Sequence, residues 1–144
     1  MWSIKAAELQ DLQAIRLFYD QCGYGGGAEP EEQIFIAYQD KTVVGAVRLC
    51  PGEKFTVLRG MQVLSTFQRQ KIGTQLLHAC AQALADQVCY CLPWQHLTSF
   101  YNQIGFHTLA PTQAPDLLRD RFQAYTDKGM DIVLMCRLPS PHGQ

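Results

Sequence analysis

The chain has 144 residues, 47% of them hydrophobic and 17% charged, which are the size and composition of one globular domain with a buried core. Lys and Arg number 12 against 13 Asp and Glu, and this balance argues against a nucleic-acid-binding protein, which normally carries a basic excess. No apolar stretch reaches the roughly 20 residues of a membrane helix, and residues 1–5 lack a signal peptide's apolar core. We therefore expect a cytoplasmic protein that binds neither nucleic acid nor membrane.

The cysteines form no C-x-x-C pair and have no zinc-site spacing, so no metal is expected. Most lie in apolar runs, which predicts buried, reduced thiols. Two of them, Cys89 and Cys91, would face the same side of a strand. The six are Cys22, Cys50, Cys80, Cys89, Cys91 and Cys136.

The first half of the chain predicts a strand, a helix and an antiparallel meander. Trp2 to Lys5 is the first strand, and apolar residues at helical spacing from Leu9 to Phe18 predict a helix that Gly23 ends. Residues 33–38 and 42–49 flank a short turn, as in a hairpin. Pro51-Gly52 is expected to break the chain, and residues 55–64 are the next strand.

The second half alternates helices with strands. Residues 73–85 predict a strong helix, and a shorter one runs from Leu97 to Ile104 and stops at Gly105. Further strands are predicted at 88–92, 106–109 and 131–138, and a partly helical segment at 115–128. This pattern predicts one mixed α/β domain over residues 1–144, with helices on both faces of a sheet. Residues 139–144 are expected to form a flexible tail.

The sharpest functional signal lies at residues 63–77, where a strand ends, a polar turn follows and a long helix begins. Unpaired N–H groups and the helix dipole, equivalent to about half a positive charge, suit a pyrophosphate. Arg69 and Lys71 add positive charge, and Thr74 adds a hydroxyl donor. The alternative is an ordinary connection with solvated basic residues, because neither the P-loop nor the dinucleotide-binding pattern is present.

This turn resembles the motif Gln/Arg-x-x-Gly-x-Gly/Ala of the GNAT superfamily of N-acetyltransferases, which wraps the pyrophosphate of coenzyme A. The motif reads Gln68-Arg69-Gln70-Lys71-Ile72-Gly73 here, after a strand with Arg59, Met61 and Val63 and before Leu76-Leu77. Residues 99–106 are similar to the family's Phe-Tyr-x-x-x-Gly-Phe. The resemblance is specific over about residues 55–110.

The resemblance implies a mostly antiparallel, mixed sheet flanked by helices, with a V-shaped splay between two central parallel strands, residues 58–64 and 88–92. It implies acetyl-CoA as co-substrate and, as acceptor, an amine of a small molecule or peptide that attacks the thioester directly. The implied cofactor-binding residues are Met61, Gln62 and Val63 through their backbone, and Gln68, Arg69, Gln70, Lys71, Ile72, Gly73 and Thr74 at the turn.

Tyr101 matches the family tyrosine that serves as general acid, although helical periodicity alone would make it one more core residue. The reaction needs a neutral amine, a donor to the oxyanion and a proton for the leaving thiolate. Glu53, His96 and His107 are candidate general bases, and none is favoured. Candidate residues lining the acceptor pocket are Tyr19, Tyr24 and Tyr125. No acidic or basic cluster in the sequence identifies the acceptor.

Two departures from the family pattern keep other interpretations open. Lys71 replaces the first motif glycine, and left-handed geometry there would cost on the order of 1–2 kcal/mol. Either the turn avoids that geometry, or pairing with phosphate offsets it. Residues 93–96 replace an asparagine that touches the cofactor in many relatives. A non-catalytic acyl-CoA-binding or regulatory module is therefore the alternative, with a plain interaction domain third. The oligomeric state is open, with a homodimer among the options.

Overall fold

The first four strands form an antiparallel sheet in chain order. The computed structural model describes residues 1–25 and 27–138 and places these strands at β1 (Trp2–Ala6), β2 (Gln33–Gln39), β3 (Thr42–Pro51) and β4 (Thr56–Val63). Each strand pairs antiparallel with the next. The predicted hairpin and meander are confirmed. The predicted break at Pro51-Gly52 is confirmed, because β3 ends at Pro51 and β4 begins only at Thr56.

Helices cover both faces of this sheet, as predicted. On one face lies α1 (Leu12–Gln21), whose Ile15, Phe18 and Tyr19 are buried in one cluster with the apolar side chains of β2. On the other face lies α2 (Ile72–Leu84). A Cβ atom on Gly45 of β3 would lie 3.0 Å from Ile72 Cγ2, so the absence of a side chain there lets α2 approach the sheet closely.

The chain divides into two compact units, the first ending at Ala83 and the second beginning at Leu84. The second holds α3 (Thr98–Asn102), α4 (Asp116–Asp127) and the short strands β5 (Cys89–Cys91), β6 (His107–Thr108) and β7 (Met135–Arg137). β7 pairs antiparallel with both β5 and β6. Its core includes Phe106, Leu118, Leu134 and Met135.

One prediction of secondary structure in the second unit, the final strand, is wrong in extent. The strand predicted from Asp131 begins only at Met135. The residues before it instead bond to the segment after β5, with Gln95 N donating to Asp131 O over 2.9 Å and Val133 N to Pro93 O over 3.0 Å. The segment at 115–128, predicted as partly helical, holds the helix α4, which confirms that prediction. The tail predicted at 139–144 lies outside the described residues.

All six cysteines are free thiols, and four of them are buried. Cys22 and Cys50 are only partly buried. Cys89 and Cys91 are both buried on either side of the half-buried Tyr90, which confirms that they share one side of β5. Burial raises the pKa of the Cys91 thiol well above its ordinary value, so this thiol is a poor nucleophile.

Among the described residues, no three His, Cys, Asp or Glu side chains are grouped so that they could hold a metal ion. None of the helices in this part of the chain combines the length and the apolar character needed to cross a membrane.

Candidate functional site

The turn between β4 and α2 is anchored to the end of the strand. Leu64 N donates to Val44 O over 2.9 Å, and a short 3₁₀ turn follows at Ser65–Phe67. The Gln68 side chain then reaches back, with Nε2 donating to Val63 O over 3.2 Å. Gln68 was predicted to contact the cofactor, but here its amide nitrogen holds the turn in place.

Two residues of the turn that are not glycine have left-handed backbone geometry. Arg69 has φ +68° and Lys71 has φ +67°, with Gln70 between them. Left-handed residues at alternate positions direct successive N–H groups toward one side, which creates a concave anion-binding surface. The question raised by Lys71 is therefore answered: the turn keeps the geometry of the motif glycine and accepts a strain of about 1–2 kcal/mol.

The helix that follows presents its N-terminus directly after this turn. Lys71 O accepts the first helical hydrogen bond, from Gln75 N at 3.0 Å. The N–H groups of the first helical turn, at Ile72, Gly73 and Thr74, have no partner within the helix. Arg69, Gln70 and Lys71 are exposed, and Gly73 and Thr74 are half-buried. The turn and helix therefore bring the predicted residues together in an arrangement that fits a phosphate group.

A bulge interrupts β4 at Gly60 and Met61, where the three residues predicted to pair with the cofactor begin. Arg59 lies opposite Arg48 and Gln62 lies opposite Ala46, so two residues of β4, Gly60 and Met61, face one of β3. Gly60 has φ +69°, the left-handed geometry that a bulge of this kind requires. Sequence analysis missed this bulge, although an isolated glycine inside a strand is its usual signal.

Tyr101 lies on α3 in the apolar layer of the second unit. Its side chain is 5% exposed, and its ring contacts Phe100 and Phe106 edge-on, with centroids 5.0 and 6.0 Å away. Phe106 N donates back to Tyr101 O over 3.3 Å across Gly105, whose φ of +94° requires glycine. This geometry explains the Phe-Tyr-x-x-x-Gly-Phe spacing. The general-acid role of Tyr101 stays a prediction.

The three candidate general bases lie on separate elements. Glu53 is in the β3–β4 loop, His96 is in the 3₁₀ turn at Gln95–Leu97, and His107 is on β6. All three side chains are exposed. Exposure distinguishes none of them from an ordinary surface residue, so the base stays unassigned.

A buried charged cluster, which we call the Arg48 cluster, lies between β3 and α1. Arg48 is 2% exposed, and its Nη1 donates to Glu32 Oε1 and Oε2 over 2.9 and 3.0 Å and also to Gly27 O. Its Nη2 donates to the Tyr24 hydroxyl over 3.2 Å. The guanidinium stacks against the rings of Tyr19 and Tyr24, at 5.7 and 5.8 Å.

Two further groups complete the Arg48 cluster. Cys50 Sγ donates to Glu32 Oε2 over 3.1 Å, and burial followed by this carboxylate raises the pKa of the thiol to about 12. The Tyr19 hydroxyl donates to Gly60 O over 2.8 Å. Tyr19 and Tyr24, predicted as pocket-lining residues, therefore belong to this cluster, while Tyr125 is half-buried on α4. Arg48 was missed because it sits inside an apolar run.

The comparison with protein families decides the identity of this fold. Residues 30–108, more than half of the chain, match the model of the acetyltransferase (GNAT) domain. The chain belongs to this family. The match includes β4, the left-handed turn, α2 and Tyr101, so the resemblance expected from the motifs is confirmed. The protein is accordingly an acyltransferase of the N-acetyltransferase class. No curated protein is similar enough in sequence to match the chain.

Solved structures share the fold along nearly the whole chain, which confirms the predicted fold class. The ribosomal-protein-S18-alanine N-acetyltransferase of Escherichia coli has a TM-score of 0.71 at 17% identity, covering 100% of this chain and 97% of its own. An acyl-CoA N-acyltransferase of Pseudomonas aeruginosa has a TM-score of 0.66 at 20% identity, covering 95% and 98%.

A larger enzyme contains the same fold as one part. The N-acetylglutamate synthase of Neisseria gonorrhoeae, complexed with coenzyme A and N-acetyl-glutamate, has a TM-score of 0.70 at 16% identity. The match covers 98% of this chain and only 36% of the synthase, so this chain spans about a third of that enzyme's length. At sequence identities this low, the similarity to these three structures shows a shared fold alone.

Proposed function

We propose that this protein transfers the acetyl group of acetyl-CoA to an amine of a small molecule or peptide, by direct attack of the amine on the thioester. The observation that carries the proposal is the left-handed turn at Arg69 and Lys71 followed at once by the N-terminus of α2. Lys71 adopts a strained geometry that a solvated connection has no reason to keep, and the geometry is the one that cradles a phosphate.

The cofactor-binding residues divide into two groups with different roles. The backbone of Met61, in the bulge, and of Gln62 and Val63 after it is proposed to pair with the pantetheine arm. At the turn, Arg69, Gln70, Lys71, Ile72, Gly73 and Thr74 are proposed to hold the pyrophosphate through N–H groups, with two side-chain charges and one hydroxyl. Gln68 stabilises the turn through the hydrogen bond from its side-chain amide to the Val63 carbonyl. No metal takes part in the proposed reaction.

Tyr101 is proposed to donate its hydroxyl proton to the departing thiolate. A phenol has a pKa near 10 and a thiol near 8.5, so hydrogen bonding to the thiolate as it forms is favourable without complete transfer. A coenzyme A-bound relative with the same fold supports acetyl-CoA as donor. Relatives named for amino-acid and protein acceptors support an amine acceptor.

A non-catalytic acyl-CoA-binding or regulatory module is the alternative. It is favoured by Lys71 in place of the motif glycine and by the segment at residues 93–96. The left-handed geometry of Lys71 weakens the first of these arguments, because the turn keeps its shape. Retention of Tyr101 within the matched family region argues for catalysis.

Two measurements test the proposal. Titration calorimetry with acetyl-CoA should show saturable binding to the purified protein. Release of free thiol from acetyl-CoA should then rise when a panel of amino acids, polyamines and peptides is added one by one. Binding without amine-dependent thiol release would favour the regulatory alternative. The absence of binding would remove the cofactor assignment altogether.

A further inference from the structure

Two arginines face each other across the β3–β4 ladder. Arg48 and Arg59 are directly opposite in the antiparallel register, so their side chains leave the sheet on the same face. Like charges at such positions destabilise a sheet. Arg59 also acts electrostatically on Cys50, which lies two residues after Arg48 on that face. A purely structural site gains nothing from placing a second guanidinium here.

Among the described residues, only one of the two arginines has a carboxylate partner. Within the described residues, Glu32 is the acidic side chain that pairs with Arg48, and no carboxylate there forms an ion pair with Arg59. The nearby Glu29 pairs with Arg16 of α1, at 3.8 Å. The Arg48 cluster together with Arg59 thus carries two positive charges and one negative charge. The remaining positive charge is half-buried, since Arg59 is only partly exposed.

A hydrogen-bond donor in this cluster has no acceptor. Arg48 Nε is buried and has no hydrogen-bond partner among the described residues, although Nη1 and Nη2 are both engaged. An unpaired buried donor is costly, so native proteins seldom leave one. A Cβ atom on Gly60 would lie 3.1 Å from this Nε. The free donor therefore lies beside the bulge of β4.

We propose that Arg59 and the free Nε of Arg48 bind a carboxylate of the acceptor, so that the acceptors are amino acids or other amines that carry a carboxylate. The anion neutralises the excess positive charge, reduces the repulsion between the two guanidinium groups and accepts a hydrogen bond from Arg48 Nε. Gly60 directly precedes Met61, the first residue proposed to pair with the pantetheine arm. This inference rests on the proposed function and names its substrate class.

The other role open to Arg48 is to hold Tyr24 and Gly27 against the sheet. Its bonds to Gly27 and Tyr24 serve that role through Nη1 and Nη2. They use neither Nε nor Arg59, so that role leaves both observations without explanation.

The test monitors ligand binding at Arg48 Nε in the native protein. Replacing Arg48 is avoided because it would also remove the bonds to Glu32, Tyr24 and Gly27. The ¹⁵N-labelled protein is titrated with amino acids and with the amides in which each carboxylate is neutralised. The Nε–Hε resonance of Arg48 is the readout. Acetyl-CoA binding and thiol release are measured on the same samples. Arg59→Gln is the test variant, and Lys41→Gln, an exposed charge on the β2–β3 turn on the order of 20 Å along β3 from Arg48, is the matched control.

We expect a saturable shift of the resonance with at least one amino acid and none with its amide. Arg59→Gln should weaken that response and raise KM roughly tenfold to hundredfold, as for loss of a hydrogen bond between charged groups, while Lys41→Gln should not. Equal responses to acid and amide, or no shift with any amino acid in a protein that binds acetyl-CoA, would overturn the proposal. A carboxylate-specific shift in a protein that fails to bind acetyl-CoA would keep the anion site and remove the proposed function.

Discussion

The hydroxyl of Tyr19 on α1 donates a hydrogen bond to the carbonyl oxygen of Gly60 on β4 over 2.8 Å. The bond ties the first helix to the one left-handed residue of β4. The same tyrosine ring supports the guanidinium of Arg48. The helix α1, the bulge of β4 and the buried Arg48 are therefore in direct contact through Tyr19. A substitution at Gly60 should disturb all three.

Gly60→Ala should destabilise the protein strongly. Alanine in left-handed geometry costs on the order of 1–2 kcal/mol, and its Cβ would lie 2.8 Å from the Tyr19 hydroxyl and 3.1 Å from Arg48 Nε. Gly23→Ala is the matched control, because Gly23 has φ +70° and nothing within 4 Å of such a Cβ. Chemical denaturation should show the larger loss at Gly60. Equal losses would mean that the contacts at the bulge contribute nothing.

Replacement of Lys71 should separate its charge from its geometry. Lys71→Gly removes left-handed strain and should raise the free energy of unfolding by about 1 kcal/mol. If the ammonium group pairs with phosphate, Lys71→Ala should weaken acetyl-CoA binding by roughly 1.5–3 kcal/mol, less if solvent screens the site. If it is only solvated, Lys71→Gly should bind as well as the native protein or better. Calorimetric titration of both variants distinguishes these signs, and unchanged affinity in both would exclude Lys71 from the site.

Gly73→Glu should abolish most acetyl-CoA binding in a protein that still folds. The new carboxylate would lie in the first turn of α2, where it is favoured by the helix dipole and competes with an anionic ligand. Circular dichroism melting checks the fold, and titration measures the affinity. A folded variant with native affinity would disprove the phosphate assignment for this helix.

Tyr101→Phe should slow the chemical step without affecting acetyl-CoA binding. General acids contribute roughly 10²–10⁴-fold, so kcat should fall by about that factor. The ring stays in place, so the edge-on contacts to Phe100 and Phe106 should survive. The control is the melting temperature, measured beside kcat. A variant with near-native kcat would return Tyr101 to a packing role.

The Cys50 thiol should make stability depend on alkaline pH. Its pKa is raised from an ordinary value of 9.0 to about 12, mainly by burial and then by Glu32. A raised pKa contributes stability that is complete below pH 9 and is lost as the pH rises toward 12. The stability difference between the native protein and Cys50→Ala should therefore shrink over that interval. Urea denaturation at several pH values measures it, and a constant difference would contradict the raised pKa.

Sequence predicted most of the elements and the position of the turn between β4 and α2, because both depend on local patterns. The apolar stripe at Leu76, Leu77, Cys80 and Leu84 is fully buried on α2, as its spacing indicated. The ends of the strands were harder to predict from the sequence. β7 is short because the backbone groups of Asp131 and Val133 form hydrogen bonds with the segment after β5. These bonds join residues far apart in sequence, so the hydrophobic periodicity of the strand does not indicate them.

The Arg48 cluster could not be predicted, for a reason of register. Arg48 and Arg59 become opposite partners only because the bulge lies after Arg59 and not before it. A one-residue slip would turn one of them to the other face of the sheet. Glu32, which directly precedes β2, pairs with Arg48 from a third segment of the chain. Such pairings between strands decide whether a charged residue inside an apolar run forms a buried ion pair or a binding site.

The strand β7 lies between β5 and β6, which do not pair with each other, yet it is made after both. Arg137 at its end also donates from Nε to the carbonyl of Ile104 and, over 3.0 Å, from Nη1 to that of Ala85, which close the turns after α3 and α2. During synthesis neither the β5–β7 nor the β6–β7 pairing can form until this three-residue segment has been made. The ladder of β5, β7 and β6 is therefore completed only when Met135 to Arg137 become available.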